Sequence, residues 1–268
     1  MHAMVDVAKI KEVRERTGVG FGDCKKALEE ADWDIESALD VLRKQSAVKA
    51  AKRADRDASE GRLALKISDD GSAGAIVEVN SETDFAARNE RFVQFCERAV
   101  DAVIADGPEA INALEKDRNE LISAIGENIS IRRAERLVSS GGVVAGYLHA
   151  TGTVGAIVEL SSDAGELNKN VAMHVTAENP LVVNAGELPQ DVIDRETEIF
   201  TTQAKETGKP DRIVENIVRG KLAKFKAESC LNEQQYIWDR DQRVGALLAA
   251  SGTECRKFVR YQVGEGIA

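Results

Sequence analysis

Gly71-Ser-Ala-Gly-Ala-Ile-Val-Glu78 and Gly152-Thr-Val-Gly-Ala-Ile-Val-Glu159 are one phrase written twice, identical at six of eight positions and 81 residues apart. A glycine-bearing turn followed by a short β-branched run reads as a strand leaving a hairpin. Each copy is preceded by another strand-like run, Arg62 to Ile67 and Val143 to Ala150. Each is followed by helical periodicity, Asn89 to Val103 and Glu166 to Ala177. The chain therefore holds two strand, turn, strand, loop, helix units, an internal repeat that sets the fold class as α+β with a core of two pseudo-repeated β-hairpin and helix subdomains.

The first copy turns polar at Asn80, Ser81 and Glu82, which places Thr83, Asp84, Phe85 and Ala86 on the connection between strand and helix. A phenylalanine in such a loop either folds back onto its own core or is kept for a partner. The second copy is an internal control, because its connection, Ser161-Ser-Asp-Ala-Gly165, carries no aromatic. The unit can evidently be built without Phe85, and this favours the partner.

Composition narrows the partner. The chain has 268 residues, 43% hydrophobic and 31% charged, enough for more than one domain and a sizeable core. A net charge of −10 is the wrong sign for a chain that grips a nucleic-acid backbone by itself, so no direct nucleic-acid contact is expected. No apolar run is long enough to span a membrane, and Met1-His-Ala-Met-Val lacks the regions of a signal peptide, so the expected location is the cytoplasm. Cys24, Cys96, Cys230 and Cys255 are scattered without a CxxC pair, and His2, His149 and His174 are too dispersed for a metal cage. No phosphate loop, nucleophile elbow or metal set occurs, so no cofactor is expected and an enzyme is disfavoured.

Around the repeat, Val5 to Gln45 reads as three short helices. Val7, Ile10 and Val13 share a face of the first, Asp23 is placed to cap the second, with Ala27, Leu28 and Ala31 inward, and Ile35, Ala38, Leu39 and Leu42 line the third. Gly18-Val-Gly-Phe-Gly22, between the first two, presents Phe21. Ala47 to Glu60, alanine-rich and charged, reads as a solvated connector, helical in part. Pro108 to Asn128 reads as one amphipathic helix and Ile129 to Val138 as a strand. Pro189 to Thr207 and Pro210 to Lys226 form a helical hairpin with narrow apolar stripes, suited to an antiparallel coiled-coil arm. Arg243 to Ala250 is a helix and Arg256 to Val263 a last strand beside the second repeat. The expected boundaries are a three-helix module at 1–46, a linker at 47–60, one core half at 61–140, the other at 141–188 and 227–268, and the inserted hairpin at 189–226.

Val13-Arg-Glu-Arg-Thr-Gly-Val-Gly-Phe-Gly-Asp-Cys-Lys-Lys-Ala-Leu28, Glu82-Thr-Asp-Phe-Ala-Ala87, Ile125-Gly-Glu-Asn-Ile-Ser-Ile-Arg-Arg133, Val171-Ala-Met-His-Val175 and Phe258-Val-Arg-Tyr-Gln-Val-Gly-Glu-Gly266 closely resemble the bacterial translation elongation factor Ts family, in order over essentially the whole chain. The resemblance implies an amino-terminal module of the ubiquitin-associated type and a guanine nucleotide exchange factor for elongation factor Tu, not an enzyme. It assigns the exchange wedge to Thr83, Asp84, Phe85 and Ala86, and partner contacts to Arg14, Phe21, Lys25 and His149. Some relatives dimerise through the coiled-coil arm. Three departures stand out. Phe21-Gly22 replaces two methionines of many relatives, Ala86 replaces a common valine, and many relatives continue beyond Val-Gly-Glu-Gly into another helical module. The resemblance therefore implies exchange of a different strength. The competing reading is a ubiquitin-associated-like adaptor without exchange activity, and Thr83-Asp84-Phe85 discriminates against it.

Overall fold

A computed structural model describes residues 6–267; Met1 to Val5, with His2 and the expected start of the first helical run, lie outside the described residues, as does Ala268. In chain order the elements are α1 (Val7–Thr17), α2 (Phe21–Glu30), α3 (Ile35–Ala51), β1 (Glu60–Ile67), β2 (Ala73–Ser81), the single turn α4 (Asp84–Ala87), α5 (Glu90–Asp106), α6 (Glu115–Ile125) and β3 (Ile129–Val138). The second half follows as β4 (Val143–Leu148), β5 (Val154–Leu160), α7 (Glu166–Glu178), α8 (Gln190–Lys205), α9 (Asp211–Ser229), β6 (Gln235–Tyr236), β7 (Asp239–Arg243), α10 (Val244–Ala250) and β8 (Cys255–Gln262).

The repeat forms two antiparallel sheets, β1-β2-β3 and β4-β5-β8, with the repeated phrase as the central strand of each. Alternation along those strands divides their side chains between two layers. Ala75, Val77 and Val79 pack under α5 with Phe92, Phe95 and Ala99, while Ala156, Val158 and Leu160 pack under α7 with Val171 and Val175. Ile76 and Ile157, the same repeat position, meet in a shared layer with Leu63, Leu137, Val144 and Tyr261, which joins the two sheets. Burial on both faces explains why β2 is buried along its whole length. The sheets approach closely at Gly74, where a Cβ would stand 2.7 Å from Val144 Cγ1, so a side chain has no room there.

The third strands repeat a finer feature. The β2–β3 pairing slips between Glu78 and Val79, leaving Arg132 extra, and the β5–β8 pairing slips between Glu159 and Leu160, leaving Arg256 extra. A bulge re-aims the residue it displaces. Both displaced arginines turn to the repeat's glutamate: Arg132 Nη1 lies 3.1 Å from Glu78 and Arg256 Nη1 3.5 Å from Glu159. Glu78, fully buried, also accepts from Arg133 (2.6 Å), Asn80 (3.1 Å) and the Gly264 amide beyond β8 (2.9 Å), and so fastens the two halves together. Burial alone would push its carboxyl up, but the Gly264 amide, Arg133, Asn80 and Arg132 outweigh it and hold Glu78 below the usual glutamate range.

Several expectations are corrected. Val7 is exposed, so the inner face of α1 is Ile10 and Val13. Gly20, not Asp23, precedes α2; Asp23 lies inside the first turn and pairs with Lys49 at 2.7 Å. The connector is not free in solvent: α3 runs on to Ala51, Ala50 is buried in the first core half, and Asn128 Nδ2 donates to the carbonyl of Arg56 at 2.7 Å. Pro108–Leu114 is a 3₁₀ helix ahead of α6, because its three-residue turn sets Ile111 and Leu114 on one side, against the core. The small β6–β7 hairpin was not expected. Asp239-Arg-Asp-Gln-Arg243 carries no apolar alternation to announce it. Finally, α8 and α9 pack on one another, with only Ala204, Val214 and Ser229 buried along the pair.

Candidate functional site

Phe85 is 80% exposed, the most exposed large hydrophobic side chain among the described residues. Its backbone is nevertheless held firmly. Thr83 caps α4, its hydroxyl accepting from the Ala86 amide at 3.2 Å, and Ala86 and Ala87 on the inner side of the turn are buried. Ser81 Oγ donates to the Thr83 carbonyl at 2.9 Å. Asp84 is paired with Arg88 one turn on, at 2.8 Å, with both groups open to solvent. Asn89 then caps α5 through the Arg91 amide. A large apolar ring is thus presented to solvent by a turn whose inner side is anchored in the core.

The remaining assigned residues lie on the amino-terminal helices and on the β4–β5 turn. Phe21 opens α2 and is 44% exposed. The loop before it is held beside the start of α5 by Arg91, whose Nη2 donates to the Glu15 carbonyl at 3.0 Å and whose guanidinium fills the space over Gly18. Gly18 itself adopts φ 75°, the left-handed end of α1, where a side chain would be strained and would also strike Arg91. Arg14 is exposed, and Lys25 is half-buried and pairs with Glu29 at 3.5 Å. His149 lies exposed in the β4–β5 turn, Nδ1 2.9 Å from Thr151 Oγ1. That turn abuts β1 through the Leu63 amide, which donates to the Gly152 carbonyl at 2.8 Å. Since Glu60 pairs with Ser81, the turn approaches the same end of the sheet from which the Phe85 loop departs.

Two residues near the turn escaped the sequence reading. Arg91 joins the amino-terminal helices to the turn, and Glu127 binds Thr83 through both its amide (2.9 Å) and its hydroxyl (2.7 Å). Each acts across more than forty residues of sequence, beyond the reach of periodicity. Glu127 stands inside the Ile125 to Arg133 motif, which was the available signal. His174, by contrast, is a core residue, fully buried with Nε2 2.9 Å from Gln234 Oε1; burial lowers its pKa against the opposing effects of Gln234 and Glu178. All four cysteines are buried and unpaired, and burial pushes the Cys96 and Cys255 thiols up to about 12. Among the described residues no group of His, Cys, Asp and Glu is arranged to hold a metal ion, and no helix is long and apolar enough to cross a membrane.

Comparison with known proteins identifies the family. The family model described as Elongation factor TS matches residues 82–265, beginning at the loop that carries Phe85. Curated relatives named Elongation factor Ts cover nearly the whole chain. The protein from Thioalkalivibrio sulfidiphilus is 42% identical over 273 residues, spanning 98% of this chain and 93% of the relative. That from Teredinibacter turnerae is 46% identical over 270 residues, spanning 98% and 92%. That from Methylococcus capsulatus is 43% identical over 274 residues, spanning 98% and 93%. With the family model over more than half its length and these relatives along nearly all of it, the chain belongs to the elongation factor Ts family.

Proposed function

We propose that this protein is the guanine nucleotide exchange factor for elongation factor Tu, acting in translation elongation by presenting Asp84 and Phe85 to the partner's G domain. The observation that carries the proposal is the exposure of Phe85 on a turn whose inner side is buried. The ring enters between helices of the G domain and disturbs the region that supports the nucleotide's magnesium ion. Magnesium neutralises phosphate charge, so weakening its support loosens GDP without contact to the base. No covalent bond is made or broken, and the protein is no enzyme in that sense.

One ring is not enough. A ten-thousandfold acceleration corresponds to about 5.5 kcal/mol of coupling, and burying one phenylalanine supplies roughly 1.5 to 3 kcal/mol. Arg14, Phe21 and Lys25 on the amino-terminal helices, and His149 on the β4–β5 turn, are the proposed contacts that hold the wedge in place. The same reading divides the chain into a ubiquitin-associated-like module (1–46), a linker (47–60), core halves (61–140; 141–188 with 227–268) and a coiled-coil arm (189–226). Stopped-flow release of fluorescent GDP from elongation factor Tu tests the function: addition of this protein is expected to accelerate release. Binding without acceleration would make it an adaptor instead. Because the coupling is reciprocal, GDP should weaken the protein's grip on its partner by the factor by which the protein weakens GDP binding.

A further inference from the structure

The Ile125-Gly-Glu-Asn128 segment has no part in the exchange reading above, yet it is hydrogen-bonded directly to the chain at Glu82 and Thr83, where the Phe85 turn begins. We propose that Glu127 is the positioning residue of the wedge: with Glu82 it clasps the turn to the end of α6, so that the ring is held in one orientation before the partner arrives. The functional consequence rests on the exchange reading; the clasp itself does not.

A helix of four residues has no stability of its own, since one turn fixes several dihedral angles for very few hydrogen bonds. What holds α4 is its cap. The Thr83 hydroxyl has a single proton, and Glu127 Oε1 takes it at 2.7 Å, which leaves the oxygen's lone pairs to face the Ala86 amide. The other carboxylate oxygen of Glu127 accepts the Thr83 amide at 2.9 Å, so one side chain fixes both the backbone and the hydroxyl of the capping residue. The exchange is returned. Glu82 Oε1 accepts the Asn128 amide at 2.6 Å and pairs with Arg56 at 3.3 Å. Neighbouring residues of each segment thus trade carboxylates, and Asn128, itself buried, extends the clasp to the connector through the Arg56 carbonyl. Bonds to ionised acceptors that are partly withdrawn from water are among the stronger in a protein.

The base of the clasp is packed into the fold. α6 packs against α3, and Arg43 on α3 pairs with Glu120 on α6 at 3.4 Å. Glu127 therefore ties the turn to the element on which the amino-terminal helices are seated. It acts through Thr83 and has no need to touch the partner.

The test uses the full chain with Glu127→Ala, Thr83→Val and Thr83→Ser, read by site-resolved amide exchange, melting temperature and GDP release at saturating concentrations. Glu127→Ala is expected to expose the Ala86 and Ala87 amides to exchange while the core amides stay protected and the melting temperature falls by only about a few degrees, and to slow maximal release about tenfold. Thr83→Val should follow it, and Thr83→Ser, which keeps the hydroxyl, should restore protection of the Ala86 and Ala87 amides. Adding Phe85→Ala to Glu127→Ala should produce no further loss beyond Phe85→Ala alone, because both changes remove the same wedge. Unchanged protection at Ala86 and Ala87 would overturn the proposal, and so would losses that add in full. If the two amides open as expected while the wild type itself fails to accelerate release, the clasp stands and the exchange reading falls.

Discussion

After β2 the chain rises into a capped turn that holds Phe85 in solvent, clasped from the side by Glu127. After β5, at the same place in the repeat, Ser161 and Ser162 are tied down instead. Ser161 exchanges bonds with Glu254, Ser162 donates to the Gly252 carbonyl at 3.0 Å, and Thr253 lies between them. Asp163 closes that loop, its carboxyl held below the usual range by the Gly165 amide and then by Asn168. Beneath both loops the scaffold is alike: the central strand, the buried glutamate, the bulge and its arginine all recur. The lesson is that the repeat conserves what joins three strands and a helix, and differs where a surface is free to meet another molecule. Burial forces likeness in the strands, and exposure permits difference in the loops.

The largest expected effect tests the part that the two halves share. Glu78→Ala removes an acceptor from Arg132, Arg133 and the Gly264 amide, and should cost about 3 kcal/mol in denaturant unfolding, the range for breaking a buried ion pair from one side. Acid sharpens this. The folded pKa of Glu78 lies below its ordinary value of 4.5, so its contribution is complete above that pH and is lost as pH falls through the depressed folded value. Glu78→Gln, which does not titrate, should show a flatter loss of stability over that acid window. Glu159→Ala is milder, about 1 kcal/mol, because its carboxylate serves one backbone amide and one long contact to Arg256. A cost equal to that of Glu78→Ala would mean that the second half carries an equal load. The smallest effect is expected for Ala164→Phe, which puts an aromatic on the second loop: stability within about 0.5 kcal/mol of wild type, and no rescue of release when combined with Phe85→Ala.

Much of this fold is written in local sequence. β2 and β5 are legible because strands covered on both faces are nearly continuous apolar runs, and the duplication of one phrase identifies their roles together. Strand β3 is found at the residues expected, and β8 within one residue of its expected ends. The exposure of Phe85 is legible by subtraction, since the second loop does without the ring. What sequence hides is long-range and polar. Glu127 meets Thr83 from 44 residues away, and the Arg132 and Arg256 bulges emerge only from pairing register. Asp23 has the residue type of a cap but is engaged by Lys49 from α3, so tertiary pairing overrides the local preference. The β6–β7 hairpin is charged along its longer strand and is held by position against its neighbours.

The most direct measurement is the maximal rate of GDP release from elongation factor Tu, taken with the wild type and with Phe85→Ala, together with affinity for the nucleotide-free partner. Phe85 is exposed, so its removal should leave the melting temperature unchanged. Release should slow about ten- to a hundredfold, with a smaller loss of affinity. A Phe85→Ala protein that accelerates release as well as the wild type would contradict the assignment of the wedge to this turn.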